Sequence, residues 1–285
     1  WVAARGERQT TIGAAVSMDG VGLHGGRPCR MTLLPAPADT GIVWRRADLP
    51  GAPEVPASAE FVVDTTRATS IGRGAAAVRT VEHVMAALRA LRIDNAVVQL
   101  DGEEPPFADG AAAAFVRLIR RAGTELLDAP RRARPLRAPA WAAAGDAYIV
   151  ALPADEFRVT YTFVSDHPAL GTQFADFPVD PDVFETEIAP ARTVGWLHEV
   201  EALRRRGLGL GITKDAAVVV DETGFVSPMR MPDEVARHKV LDIVGDLALA
   251  GPLAGVHVMA VRSGHALHVE LAKKIQQQFM EEDAN

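Results

Sequence analysis

Cysteine occurs once, at Cys29, which excludes an internal disulfide and suits a reducing compartment. Lysine is also sparse: Lys214, Lys239, Lys273 and Lys274 stand against 26 arginines. The formal net charge of −7 argues against a broad nucleic-acid surface, so a polyanionic ligand would need a local basic pocket. No apolar run reaches transmembrane length, no strongly basic amphipathic helix offers a stable membrane anchor, and no signal peptide stands at Trp1.

What is present is ample core material. At 285 residues, 48% hydrophobic and 24% charged, the chain exceeds the usual single-domain size, and two domains are expected. Strands are predicted at 10–18 and 29–34, flanking the glycine-rich turn Gly20–Gly26, and at 41–46, 59–63 and 68–72. That turn lacks the Gly-Lys-Ser/Thr ending of a phosphate loop. A helix is predicted from Thr80, as N-cap, to Leu91, then a strand over 95–100, an acidic, proline-bearing loop over 101–109 and a helix over 110–121.

Residues 123–140, with four Arg and three Pro, read as a linker. The predicted units are therefore 1–128 and 129–285. In the second, strands at 147–152 and 157–164 precede a helical stretch at 197–206, a glycine-rich loop at 207–211 and a strand at 216–221. A helix over 232–250, a strand over 256–262 and a helix from His265 complete it. Each half thus ends helix, strand, helix, as a duplicated α+β unit would.

The stretch with the densest chemistry is Arg237–Asp246. At 3.6 residues per turn His238, Asp242 and Asp246 form one stripe, opposite Val240, Ile243, Val244 and Leu247. A solvated polar face has the same pattern. As a site, His238 and Asp242 at i and i+4 can supply two zinc ligands, and His83, beside Glu82, is the best third. Zinc would bring the pKa of water towards ~7, and a neighbouring carboxylate would take its proton. His265 follows Ser263-Gly264 at a helix start, where an adjacent carboxylate such as Asp246 can keep it protonated. His24, His167, His198, His257 and His268 lack comparable acidic context and read mostly as structural or surface residues.

These segments, with Gly20–Gly26, Arg79–Leu88, Ile93-Asp94-Asn95, Asp109-Gly110, Asp166-His167-Pro168, Ala191-Arg192-Thr193 and Ser263–Leu267, run in one order across most of the chain. In that order they resemble the UDP-3-O-acyl-N-acetylglucosamine deacetylase family, zinc hydrolases of lipid A synthesis. The resemblance implies two α+β domains of similar two-layer topology, each with a small insert. It implies zinc on His83, His238 and Asp242, Glu82 as general base, and His265, oriented by Asp246, as cationic acid or electrostatic partner. Thr193 would polarise the acetamide carbonyl and Lys239 would meet the substrate, a UDP-linked acylated glucosamine. Leu23 and the region from Val194 to Ile212 would line an acyl passage. A cytoplasmic monomer, transiently at the inner membrane surface, is the matching expectation.

The chain departs from the family pattern at Val194, often aromatic in the family, at Gly211-Ile212-Thr213, often Gly-Gly-Ser, and at His268, often Asn. A lysine that some members carry near Leu152 is absent, while Arg262 would offer a cation beside His265. Two other classes remain: a non-catalytic zinc- or ligand-binding relative, and a zinc amidohydrolase acting on another N-acyl substrate such as a peptide. The absence of a His-Glu-x-x-His helix weighs against a protease, and the complete Glu82, His265 and Asp246 set weighs against a mere binder.

Overall fold

The computed structural model describes residues 7–205, 207, 209–211, 213 and 216–283. Two five-stranded sheets dominate it. In spatial order the first holds Val16–Val21, Pro28–Pro35, Ala96–Leu100, Ile42–Arg46 and Glu54–Pro56. The second holds Ala140–Ala144, Ala147–Pro153, Val256–Val261, Phe157–Val164 and Thr172–Pro178. Numbered along the chain, the strands of both sheets lie in the order 1-2-5-3-4. Both carry the same antiparallel, antiparallel, parallel, antiparallel pairings. The fold is α+β, with two similar halves, as the repeated helix–strand–helix pattern implies.

Among the described residues six α-helices accompany the sheets: α1 (Glu82–Ala90), α2 (Ala113–Ala122), α3 (Pro181–Val183), α4 (Leu197–Arg205), α5 (Glu234–Ala248) and α6 (His265–Asp283). α1 and α5 occupy corresponding places, between the fourth and fifth strands of their sheets, and α2 and α6 follow the fifth strands. Strand periodicity buries one face: in Val256–Val261, Val256, Val258 and Ala260 point inward and alternate with half-exposed residues. One apolar cluster joins the two halves, with Val84 and Leu88 of α1, Val240 and Val244 of α5, and Leu271 and Ile275 of α6. Gly245 makes this union possible. A Cβ there would stand 2.0 Å from the Glu82 carbonyl oxygen, so only glycine lets α5 approach the start of α1 so closely.

Short inserts flank the layers. Val62–Asp64, Ser70–Arg73 and Ala76–Val78 form a three-stranded sheet in the first half. In the second, Val194–Trp196 pairs in parallel with Val218–Val220 beside α4. Among the described residues no helix is long and apolar enough to cross a membrane.

Several expectations need correction. The strand expected at 10–18 is two, Arg8–Ile12 and Val16–Val21, broken where Gly13 packs beneath the Ala122 carbonyl. Residues 123–140 are more than a linker: Thr124–Pro130 pairs antiparallel with Arg8–Ile12, and Arg134–Pro135 pairs with Leu253–Ala254. Residues 59–61 form a 3-10 turn before the strand Val62–Asp64. Thr80 is not the N-cap of α1. That position is Val81, while Thr80 takes a left-handed φ of 55° and its buried hydroxyl has no hydrogen-bond partner.

Candidate active site

The two halves meet at a pocket of about 390 Å³ between α1, α5 and the start of α6. Larger cavities of about 430 and 550 Å³ open around Arg89 and Arg131, but neither is lined by a histidine, so volume does not identify the site. Each helix that carries a site residue starts behind a non-glycine residue in the left-handed region: Thr80 before α1, Asp233 before α5 and Arg262 before α6. Such backbone is held only where its surroundings over-determine it.

Local contacts hold these starts in place. Glu234, fully buried at the first turn of α5, accepts from the Arg192 guanidinium and from the Arg192 and Arg230 amides, tying segment 191–193 to the helix. Gln173 Oε1 accepts from the Val235 and Ala236 amides. Ahead of α6, the Tyr161 hydroxyl donates to the Ser263 carbonyl at 2.7 Å.

On this frame His83, His238 and Asp242 converge, all buried, with one ligand atom of each within 4.8 Å of the others. Asp242 Oδ1 is 3.3 Å from His238 Nε2 and 3.8 Å from His83 Nε2. His238 Nδ1 donates to the Ala191 carbonyl at 3.0 Å, which leaves Nε2 with its lone pair toward the pocket. Burial pushes His83 down to about 3 and lowers His238 as well, so both imidazoles are neutral, the form that binds metal. Burial works against the charge on Asp242, yet the Lys239 ammonium, with the His265 imidazolium, outweighs it and holds the carboxyl well below its usual range. Asp242 Oδ1 is buried without a hydrogen-bond partner. An orphaned carboxylate oxygen facing two neutral imidazoles fits a divalent cation bound through two nitrogens and one oxygen.

Around this triad stand further titratable groups. Burial, aided by Asp246 and Asp242 and opposed by His265, pushes Glu82 up to about 8. His265 donates from Nδ1 to Asp246 Oδ2 at 2.8 Å. Burial would lower its pKa, but Asp246 and then Asp242 raise it to about 9, so it is a cation at neutral pH. Lys239 Nζ lies 2.7 Å from Asp242 Oδ2. Thr193, Leu23, Val194 and Arg262 all line the pocket with Glu82, Lys239 and His265. Arg262 also pairs with Asp146 at 3.1 Å, so its charge is not directed at His265 alone. Ile212 lies outside the described residues.

Three residues were missed or misread from sequence. His268 is buried and donates to Asp246 Oδ2 at 2.8 Å, while its Nε2 meets Ser263 Oγ at 3.0 Å, so it does have acidic context. Its i+3 spacing from His265 was the available signal. Thr69 joins the two acidic groups, its amide donating to Glu82 Oε2 and its hydroxyl to Asp246 Oδ1 at 2.6 Å. Phe107 stacks on His83 with ring centroids 6.2 Å apart. Nothing local in the sequence marks these last two.

Comparison with known proteins identifies the family. The LpxC family model, described as UDP-3-O-acyl N-acetylglycosamine deacetylase, matches residues 9–277. The chain is 46% identical over 270 residues to the UDP-3-O-acyl-N-acetylglucosamine deacetylase of Anaeromyxobacter dehalogenans (strain 2CP-C), covering 94% of this chain and 87% of that protein. It is 43% identical to the deacetylase of Myxococcus xanthus (strain DK1622), over 94% and 86% of the two chains. With that of Trichormus variabilis (strain ATCC 29413 / PCC 7937) it shares 39% over 94% and 98%. The chain belongs to the UDP-3-O-acyl-N-acetylglucosamine deacetylase family.

Proposed function

We propose that His83, His238 and Asp242 hold a zinc ion and that Glu82, His265, Thr193 and Lys239 carry out hydrolysis around it. The activity is that of the family: a hydrolase that deacetylates UDP-3-O-acyl-N-acetylglucosamine in lipid A biosynthesis. Zinc, when bound, supplies a Lewis acid for the acetamide carbonyl and a positive field that favours the ionised form of Glu82.

Glu82 takes a proton from the attacking water as its oxygen bonds to the carbonyl carbon. Thr193 polarises the carbonyl, and the His265 imidazolium, kept charged by Asp246, stabilises the oxyanion that develops. The carbon–nitrogen bond then breaks, the nitrogen gains a proton from Glu82 or His265, and acetate and the free amine leave. Lys239 adds a compact cation beside the substrate. Leu23, Val194 and Arg262 form the substrate-side walls, and the acyl chain runs past Leu23 and Val194. Residues 1–128 and 129–285 are the two units that contribute to this centre, in a monomer working in the cytoplasm and meeting its amphiphilic substrate at the membrane surface.

The observation that carries this reading is the joining, in one pocket, of a metal-type triad with a buried carboxyl group, Glu82, and a cation, His265. A non-catalytic binder would need only the triad. The test is Glu82→Ala, assayed for acetate release and for bound metal. The reading expects turnover to fall by about 10²–10⁴-fold or more with zinc still stoichiometric. Retained activity would remove Glu82 as the base.

A further inference from the structure

The glycine-rich turn Gly20–Gly26 is held by a residue to which the chemistry above gives no part. Glu104 is buried, 6% exposed. Its carboxylate faces the turn's backbone. Oε2 accepts from the His24 and Gly25 amides, both at 3.0 Å, and Oε1 lies 3.2 Å from the His24 amide. The neighbouring amides are taken within the turn, Gly22 donating to the Arg27 carbonyl and Gly26 to that of Gly22. The carboxylate thus sits in a backbone nest, anionic oxygen against successive N–H groups.

Glycine is required on both sides of this nest. A Cβ on Gly22 would stand 2.5 Å from Glu104 Oε2. A Cβ on Gly211 would stand 2.2 Å from the Gly22 carbonyl, and one on Gly26 would stand 2.6 Å from Leu210 Cβ. The second half docks onto the turn through the Leu210 amide to the His24 carbonyl at 3.3 Å and the Gly211 amide to the Leu23 carbonyl at 3.0 Å. Between those contacts Leu23 packs with Phe107 and Ala216 and borders the catalytic pocket.

We infer that Glu104 is a positioning residue for acyl-chain recognition, fixing the turn so that Leu23 and segment 209–211 form one wall of the passage. It touches neither the metal-type triad nor the acid–base groups. Its loss therefore frees the buried His24 amide, the part-buried Gly25 amide and the Leu23 wall while the catalytic groups keep their places. The inference rests on the proposed acyl passage along Leu23.

The test compares Glu104→Ala and Glu104→Gln with wild type on two substrates, one with a long 3-O-acyl chain and one with a 3-O-acetyl group, with melting curves and zinc content as controls. Glu104→Ala should raise KM for the long-chain substrate about tenfold, the effect of losing one buried hydrogen bond, with kcat within about threefold and the short-chain KM unchanged. Glu104→Gln, whose amide oxygen can still accept from both amides, should restore most of that loss. Gly22→Ala, which must push the carboxylate aside, should copy Glu104→Ala and serves if that variant does not fold. Equal losses on both substrates, or none, would overturn the positioning role. Wild type with equal KM values for the two substrates would instead overturn the acyl passage itself.

Discussion

Replacing Gly245 with alanine should drive the two halves of the active site apart. The added Cβ would sit 2.0 Å from the Glu82 carbonyl oxygen, against an ordinary contact of at least 3.4 Å, so α5 must retreat from α1 by more than about 1 Å. The neighbour is backbone at the first residue of α1, which cannot turn away as a flexible side chain would. Overpacking of this kind costs about 1–3 kcal/mol. For a chain of this size that corresponds to a fall in Tm of about 2–12 °C. The functional loss should be larger. His83 stands on α1 while His238 and Asp242 stand on α5, so a shift of about 1 Å opens the ligand set and can cost about 10²-fold in rate. The assay is kcat/KM for acetate release, with zinc titration and thermal melting on the same samples. Gly224→Ala is the control, because a Cβ there meets nothing within 4 Å and its φ is not left-handed. If Gly245→Ala keeps kcat/KM and zinc affinity within twofold of wild type, the close approach of α1 and α5 does not set the site.

Two further outcomes bear on its frame. In the zinc-free protein the His265 imidazole should titrate near pH 9 by NMR, and Asp246→Asn should lower it as burial meets less opposing charge. Since the folded pKa is raised, the protonated ring stabilises the fold. That contribution is complete below pH 6.5 and is lost as pH rises through about 9, so wild-type Tm should fall more steeply between pH 7 and 10 than that of Asp246→Asn. Equal slopes would refute the coupling. Glu234→Ala removes the carboxylate partner of the Arg192 guanidinium, 5% exposed and left with carbonyl acceptors such as that of Pro228, and should cost about 3–5 kcal/mol in urea unfolding, whereas a loss under 1 kcal/mol would show that carbonyls and water suffice for its charge.

The parts of this centre that lie on single helices were legible in the sequence. His238, Asp242 and Asp246 share a face because the helix repeats every 3.6 residues, and no tertiary knowledge is needed to see it. The duplicated architecture was legible through the repeated helix–strand–helix endings. What escaped depends on pairing between distant residues. Thr124–Pro130 looks like a linker until Arg8–Ile12 lies alongside, and Ala140–Ala144 has little β-branched character and is a strand because Ala147–Pro153 folds back on it. Thr69, bonded to Glu82, reaches Asp246 across 177 positions, a contact no local pattern encodes. Thr80 has the residue type of an N-cap, but its left-handed backbone takes it out of that role.

The matching strand order of the two sheets has a consequence for how the protein is held together. The halves are near-equivalent in topology, yet their chemical endowments differ: the first supplies His83 and Glu82, the second His238, Asp242 and His265. Neither has a complete ligand set alone. A cation on the triad would therefore act as a clasp, bridging helices whose ligands stand at positions 83 and 238, and would favour the joined state over any state in which the halves have parted. At a free concentration of one hundred times its dissociation constant, such a clasp stabilises the union by about 2.7 kcal/mol. In this chain the divided triad would make a bound ion a fastening of the fold as well.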